Sequence, residues 1–310
     1  MTSRFDQNAV NVEFATESDI RATLERRGYR IVDRAFSTGR PDRVTFPLED
    51  LSGIPLVAKQ YPAGKGERVY QNMLALWNSS FGRKRQPPGL PRPIEFLPQE
   101  GVLITERIDG SPLSELGSEN EPLLPIMRLL VDLHQSGTIA STHRGPKQLI
   151  RSLRRKAHYL QQAAPQFHSQ YLEVIEQMQA VRPKDGELVS SHGDFSPRNV
   201  LICADRIVLI DWDRFQQADR TRDLAYYGVW RWAADLRNGR SPNWSALWKC
   251  ASLYEQLKPG ALLPDRLVFH VAAGLLRVAH SIVKLWPQEM QYVPPLIEEA
   301  RRQLVSEAER

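Results

Sequence analysis

Between Ser190 and Ile202 the chain reads SSHGDFSPRNVLI, which places His192, Asp194 and Asn199 within eight positions and runs straight into an apolar segment. Asp211 follows twelve positions after Asn199, at the end of a second apolar run, RIVLI. The segments NVLICAD and RIVLID flank a turn at Ala204–Asp205, and pairing them as a hairpin brings Asn199 and Asp211 to the same end. Phosphoryl transfer needs such a constellation. One carboxylate orients or deprotonates the attacking hydroxyl, and an Asn with a second carboxylate holds Mg²⁺ against the phosphates of a nucleotide. These donors are hard oxygens, which suit Mg²⁺, and no soft ligand is offered beside them. Asp and Asn are also common at turns, so an ordinary hairpin with polar caps is the competing reading. The joint spacing, with an apolar strand ahead of both the Asp194 loop and Asp211, favours the site.

The elements that must position these residues change character along the chain. ESDIRATLERR (17–27) has helical spacing and stops at Gly28. YRIVDRAF (29–36), RVTFPLE (43–49) and IPLVAKQY (54–61) are rich in branched and aromatic residues and are separated by STGRPD and DLSG, which predicts an antiparallel meander. Residues 67–79 return to helical spacing, and PIEFL (93–97) and GVLITERI (101–108) complete a small sheet. After DGSPLSE (109–115), helical patterns cover 121–137, 147–164, 169–181, 220–238, 243–258, 264–285 and the amphipathic end PPLIEEARRQLVSEAER. The expectation is an α+β chain with a β-rich part over 1–107 and a mainly helical part over 108–310, hinged near Gly110 with a cleft between them.

HGDFSPRNVLI, VLIDWDRF and RTRDLAYYG together resemble the aminoglycoside phosphotransferase and choline kinase superfamily, the small-molecule relatives of protein kinases. The resemblance covers roughly residues 30–235. It implies a protein-kinase-like two-lobe fold with ATP held between a small N-terminal and a larger C-terminal lobe. It also implies Asp194 as the catalytic base or hydroxyl-orienting carboxylate, and Asn199 and Asp211 as Mg²⁺ ligands. Asp213 matches the second acid of the IDWD-like stretch. Asp223 matches a structural acid that caps a helix and braces the catalytic loop. Lys59, in LVAKQYP, takes the position of a lysine that holds the α- and β-phosphates, with Glu67 as its partner and Gln71 the alternative. Ser37 and Gly39 stand where a shortened phosphate loop is expected. Glu106 and Ile108, in ITERIDG, stand where backbone groups contact adenine. His134 and His192 are assigned structural roles beneath and within the loop.

Composition narrows the partners. With 42% hydrophobic and 25% charged residues the chain is ordinary for a globular protein. No run of about 18 apolar residues occurs and MTSRFDQNAVNVEFATE lacks a leader's layout, so a cytoplasmic protein without a membrane partner is expected. Cys203 and Cys250 are too few for a disulfide framework and are read as small buried hydrophobes. The net charge of +5 and the clusters GRKRQ (82–86) and RSLRRK (151–156) are not interleaved with aromatics, and nucleic-acid binding is not expected. No activation segment separates IDWDRF from RTRDLAYYG, which argues against a protein substrate. Over 224–290 the only acids are Asp235, Glu255, Asp265 and Glu289, too few to suit a polycation. Trp230, Trp232, Trp244 and Trp248 form either a helix-packing core or a face for a sugar or quaternary ammonium. The expected function is ATP- and Mg²⁺-dependent phosphorylation of a hydroxyl on a small molecule (a sugar, aminosugar, amino alcohol or aminoglycoside-like compound). The alternative is a catalytically silent kinase-like scaffold. Oligomeric state is open.

Overall fold

The computed structural model describes residues 15–34, 44–116 and 121–308. Helix α1 (Glu17–Arg26) begins with a reciprocal cap. The Thr16 hydroxyl accepts from the Asp19 N–H at 3.2 Å, and the Asp19 carboxylate accepts from the Thr16 N–H at 2.9 Å. The helix stops at Gly28, whose φ of +86° is a left-handed conformation that a Cβ would penalise. Ile20 and Leu24, one turn apart, are buried against a sheet. That sheet contains β1 (Arg30–Ile31), β2 (Thr45–Glu49), β3 (Pro55–Gln60), β4 (Pro93–Leu97) and β5 (Val102–Glu106), ordered β1-β2-β3-β5-β4 and antiparallel throughout. Along β3 the side chains alternate, so Leu56 and Ala58 join Phe46, Leu48, Val102 and Ile104 in the core while Val57 and Lys59 take the other face.

Contacts divide the chain into two compact units, Met1–Met73 with Arg92–Arg107 and Leu74–Pro91 with Ile108–Arg310. Helix α2 (Lys65–Asn78) therefore begins in the first unit and ends in the second. Residues 74–91, which linear patterning places with the β-rich part, belong with the helices for a physical reason. Phe81, on the short α3 (Ser80–Arg83), meets the Trp212 ring with centroids 6.0 Å apart. Lys84 pairs with the buried Asp132, and Arg85 approaches the same carboxylate at 2.6 Å. The Gly89 carbonyl accepts from the Leu209 N–H at 2.9 Å. Much of the GRKRQ charge is thus spent on an internal carboxylate.

The second unit is built from α4 (Leu123–His134), α5 (Pro146–Ala163), α6 (His168–Ala180), α7 (Thr221–Arg237), α8 (Ser245–Leu257), α9 (Pro264–Leu285) and α10 (Val293–Ala308). Helix α9 packs against α5, α7 and α10 and is apolar on nearly every side. Among the described residues it is the one helix long and apolar enough to cross a membrane, and 83% of that window is buried within the protein, as a central core helix requires. Two small sheets complete the unit. They use β6 (Ser111–Pro112), β7 (His143–Arg144), β8 (Val189–Ser191), β9 (Val200–Ile202), β10 (Ile207–Leu209) and β11 (Gln216–Ala218), in the orders β10-β9-β6 and β7-β11-β8. Strands of two or three residues show no alternation to read, so β6, β7 and β11 have no counterpart among the sequence expectations.

Helix α9 also carries His280, buried beside cations. Burial, then Lys156, Lys284 and Arg214, push its pKa down to about 3. A folded value below the ordinary 6.5 means that the unfolded chain binds the proton first, so stability is lost as pH falls below about 6.5. At pH 5 the loss from His280 is roughly 2 kcal/mol. Denaturant unfolding at pH 7 and pH 5 should show a stability loss about 2 kcal/mol smaller in His280→Gln than in the wild type, the remainder belonging to other buried groups such as His270; an equal loss in the two proteins would contradict the neutral buried state.

Candidate active site

Strand β8 delivers the chain to His192, and the loop that follows is clamped from beneath by Asp223, in the first turn of α7. Asp223 Oδ2 accepts from the His192 N–H and Oδ1 from the Gly193 N–H, each at 2.9 Å. His134 Nε2 lies 3.2 Å from Oδ2, and its Nδ1 lies 2.7 Å from the Tyr254 hydroxyl. Burial opposes charge on Asp223, but the His134 hydrogen bond, the electrostatic pull of the His134 and His192 rings and the Gly193 amide outweigh it and hold the carboxyl below its ordinary value. Just ahead of α7, Asp219 Oδ1 accepts from the Thr221 N–H at 3.0 Å. Of the two tasks expected of Asp223, the bracing of the loop is the one its hydrogen bonds perform.

Gly193 is required twice over. Its φ is +74°, and a Cβ there would sit 2.3 Å from the Arg214 carbonyl oxygen. The buried His192 then ties the loop to the end of β10. Its Nδ1 accepts from the Asp194 N–H at 3.3 Å, which leaves Nε2 as the protonated nitrogen donating to the Ile210 carbonyl at 3.0 Å. Asn199 Nδ2 donates to the Asp194 carbonyl at 2.9 Å, so the amide oxygen is the end left to accept. The hairpin register pairs Val200 with Leu209, and the Ile210 N–H reaches the Asn199 carbonyl at 3.0 Å. Asn199 and Asp211 therefore leave β9 and β10 at the same end. Asp211 has φ 62° and ψ 61°, the left-handed region, where a non-glycine residue stores about 1 kcal/mol or more.

Asp194 is 3% exposed and ringed by cations. Arg198 lies 3.6 Å from Oδ2, while Arg214 and Arg277 lie 3.5 Å and 3.6 Å from Oδ1. These distances give charge compensation without close hydrogen bonds, and Oδ1 has no hydrogen-bond partner among the described residues. Burial alone would raise the Asp194 pKa; Arg214, Arg277 and Arg198 overcome it and hold the carboxyl at about 2. The result is an ionised carboxylate with an acceptor oxygen available. Sequence reasoning missed Arg277, on α9 far along the chain; a lone arginine within the apolar run FHVAAGLLRVAHSIV was the available signal. Its guanidinium also stacks 4.0 Å from the Tyr226 ring centroid.

The other candidates lie as follows. Lys59 is half-buried on β3, its Nζ 5.1 Å from the Tyr61 ring centroid. Glu67 is exposed in the first turn of α2 and makes no hydrogen bond or ion pair among the described residues; Gln71, one turn on, is exposed as well. Glu106 ends β5 with its N–H donated to the Arg92 carbonyl at 2.9 Å and its carboxylate accepting from the Arg92 N–H at 3.0 Å. Ile108 is half-buried at the start of the second unit's main segment. Ser37 and Gly39 lie outside the described residues. Asp213 is half-buried in the turn after Asp211. Trp230 and Trp232 are buried, Trp232 stacks on Trp244 at 5.8 Å, and Trp248 is 55% exposed, so most of the cluster is packing. Cys250 is buried and Cys203 half-buried.

Among the described residues no group of three His, Cys, Asp or Glu could hold a metal alone. Asn199 and Asp211 offer two hard oxygen donors, the kind of incomplete set that suits a Mg²⁺ sharing its remaining positions between waters and nucleotide phosphates. The model of the phosphotransferase enzyme family matches residues 35–259. The chain belongs to that family. It is thus a phosphotransferase, passing a phosphoryl group to a hydroxyl acceptor. Solved structures show the same protein-kinase-like two-lobe α+β fold. Choline kinase LicA from Streptococcus pneumoniae matches with a TM-score of 0.66 and 14% identity, over 94% of this chain and 99% of that one. A thermostable mutant of aminoglycoside phosphotransferase APH(4)-Ia, in a ternary complex with ADP and hygromycin B, gives 0.67 and 15% over 92% and 97%. Aminoglycoside-3'-phosphotransferase of type VIII gives 0.58 and 22% over 82% and 96%. No curated protein matches this phosphotransferase by sequence.

Two variants test the loop's construction. Asp223→Ala should cost roughly 3–5 kcal/mol, since it strips partners from two buried amides and a buried histidine. Asp211→Gly should leave the protein about 1 kcal/mol more stable than Asp211→Ala, because only glycine relieves the left-handed backbone. Denaturant midpoints read both; an alanine variant as stable as the glycine one would refute the strain.

Proposed function

We propose that this phosphotransferase transfers the γ-phosphoryl group of ATP, with Mg²⁺, to a hydroxyl of a small molecule such as a sugar, aminosugar, amino alcohol or aminoglycoside-like compound. The observation that carries the reading is Asp194: buried, ionised, with one carboxylate oxygen unbonded, and tied through its own carbonyl to Asn199 at the hairpin end that bears Asp211. The neighbouring fold that holds ADP and hygromycin B together supports nucleotide use and a small-molecule acceptor.

In this reading the acceptor hydroxyl donates to Asp194 Oδ1, which aims the oxygen lone pair at the phosphorus. A carboxylate held near pKa 2 is a weak base, so it orients the hydroxyl and receives the proton late, which a loose transition state tolerates. Asn199 and Asp211 would hold Mg²⁺, which neutralises charge on the phosphate oxygens when bound. Lys59 takes the α- and β-phosphates, Glu106 and Ile108 present backbone to the adenine, and Ser37 and Gly39 belong to the phosphate loop. Glu67 is the acid available to Lys59 from α2.

Millimolar ATP with Mg²⁺ should raise the melting temperature by mass action, and no shift would sink nucleotide use. With an acceptor found by screening ADP release, Asp194→Asn should lower kcat by about 10²–10⁴-fold while leaving KM for ATP near wild type. Asp211→Asn should instead weaken the Mg²⁺-dependent part of ATP binding. Full turnover by Asp194→Asn would overturn its role.

A further inference from the structure

The positive charge around Asp194 exceeds what the protein itself balances. Arg277, buried on α9, and Arg214 face Asp194, and Arg214 also faces Asp211 and Asp213. Arg222 is buried in α7, and its Nε and one terminal nitrogen have no hydrogen-bond partner among the described residues. Arg144 on β7 and Lys156 on α5 are half-buried, and among the described residues no carboxylate lies within ion-pair distance of Arg144, Lys156 or Arg222. Asp223, adjacent to Arg222, is already committed to His134 and the loop amides.

The five cations also act on one another. Burial lowers Lys156 most, and Arg277, Arg214, Arg144 and Lys284 lower it further, to about 7. Burial likewise lowers Arg144, followed by Arg277, Arg214 and Arg155. Arg222 is lowered by burial and then by Arg277 and Arg144, with Asp223 the acid on the other side. Buried like charges without partners are costly, and a site kept in that state is completed by an anion that binds there. The groups come from β7, α5, α7 and α9 and the turn after Asp211, whereas Asn199 sits on the β9 side of the hairpin, so the excess charge lies mainly outside the elements offered to the metal.

Resting on the phosphotransferase reading above, we infer that the acceptor is an anionic alcohol, a small hydroxyl compound bearing a phosphate or carboxylate group, held by Arg144, Lys156, Arg222 and Arg277 with its hydroxyl at Asp194. A cationic acceptor would meet like charge at the same place, and a neutral one would leave the arginines uncompensated. The anionic group anchors the molecule, and Arg277, 3.6 Å from Asp194 Oδ1 and a donor to the Gly193 carbonyl, links anchor to reacting oxygen.

The partly deprotonated Lys156 amine permits a test that needs no known acceptor. Pyridoxal 5′-phosphate, an aldehyde with a phosphate, condenses with an amine to an imine and water, and added borohydride fixes the adduct for peptide mapping. It should label Lys156 of the full chain at concentrations about tenfold below pyridoxal, which lacks the phosphate. Ribose 5-phosphate or gluconate should protect Lys156, and whichever protects better separates phosphate from carboxylate; ribose and glucose should not protect. Arg144→Gln should remove most of the phosphate preference. Equal labelling by both aldehydes, labelling spread over surface lysines, protection by neither anion, or full protection by ADP with Mg²⁺ (which would assign the cluster to the nucleotide) each overturns the inference. In turnover, anionic alcohols should exceed matched neutral ones by about 100-fold in kcat/KM, and Lys156→Met should raise acceptor KM about tenfold with KM for ATP unchanged; a better neutral or cationic acceptor overturns it. If ATP with Mg²⁺ fails to bind, the phosphotransferase reading fails on its own, whatever Lys156 shows.

Discussion

The Asp223 carboxylate holds two consecutive backbone amides, His192 and Gly193, and takes a third contact from His134. Everything at the site is referred to that clamp. Gly193 can approach the Arg214 carbonyl only without a side chain, and His192 reaches Ile210 only while its backbone is fixed from below. Asp194 follows within one residue, so its direction is inherited from amides that have no freedom left. A buried carboxylate with both oxygens engaged is stiff because any tilt abandons a desolvated donor. His134 and Tyr254 extend the same support into α4 and α8, which couples the loop to the helical core.

The second organising constraint is electrostatic. Burial as deep as that of Asp194 pushes a carboxyl toward its neutral form, and the guanidinium groups of Arg198, Arg214 and Arg277 keep it ionised from distances too long to occupy its oxygens. Compensation at 3.5–3.6 Å preserves the charge while leaving Oδ1 as an acceptor, which is the combination that orienting a hydroxyl demands. Contact hydrogen bonds would have stabilised the charge more and removed the function. Supplying three arginines to one acid also loads the surroundings with positive charge, and the helical unit carries that imbalance in its interior.

Much of the architecture was legible because its signals are local. The Thr16–Asp19 cap and Gly28 bound α1, and the helical patterns from 121 onward recur as α4 to α10 with ends shifted by only a few residues. The β9–β10 hairpin was readable from two apolar runs about one turn, and with it the shared end of Asn199 and Asp211. Other features were not. Strands β6, β7 and β11 are two or three residues long and exist only because distant partners supply their ladders. The affiliation of 74–91 depends on Phe81 meeting Trp212 and on Asp132 attracting Lys84 and Arg85, pairings with no periodic trace. Asp223 turns its carboxylate to the amides of His192 and Gly193, some thirty residues earlier in the chain, a pairing that no local pattern records.

The amino-acid sequence by itself determined which chemistry was available. It set two acids and an amide at spacings that a tight hairpin converts into proximity, and it set the helices whose apolar faces need burial. Turns and helical periodicity act over a few residues, so their consequences can be read in order along the chain. Tertiary structure alone decided what surrounds Asp194. Arg277 and Lys156 arrive on helices far apart in sequence, and Arg144 on a strand that forms only by pairing with β11. Charge acts through space rather than along the chain, so the ionisation of Asp194 and the excess of cations about it emerge only when α5, α7 and α9 pack together.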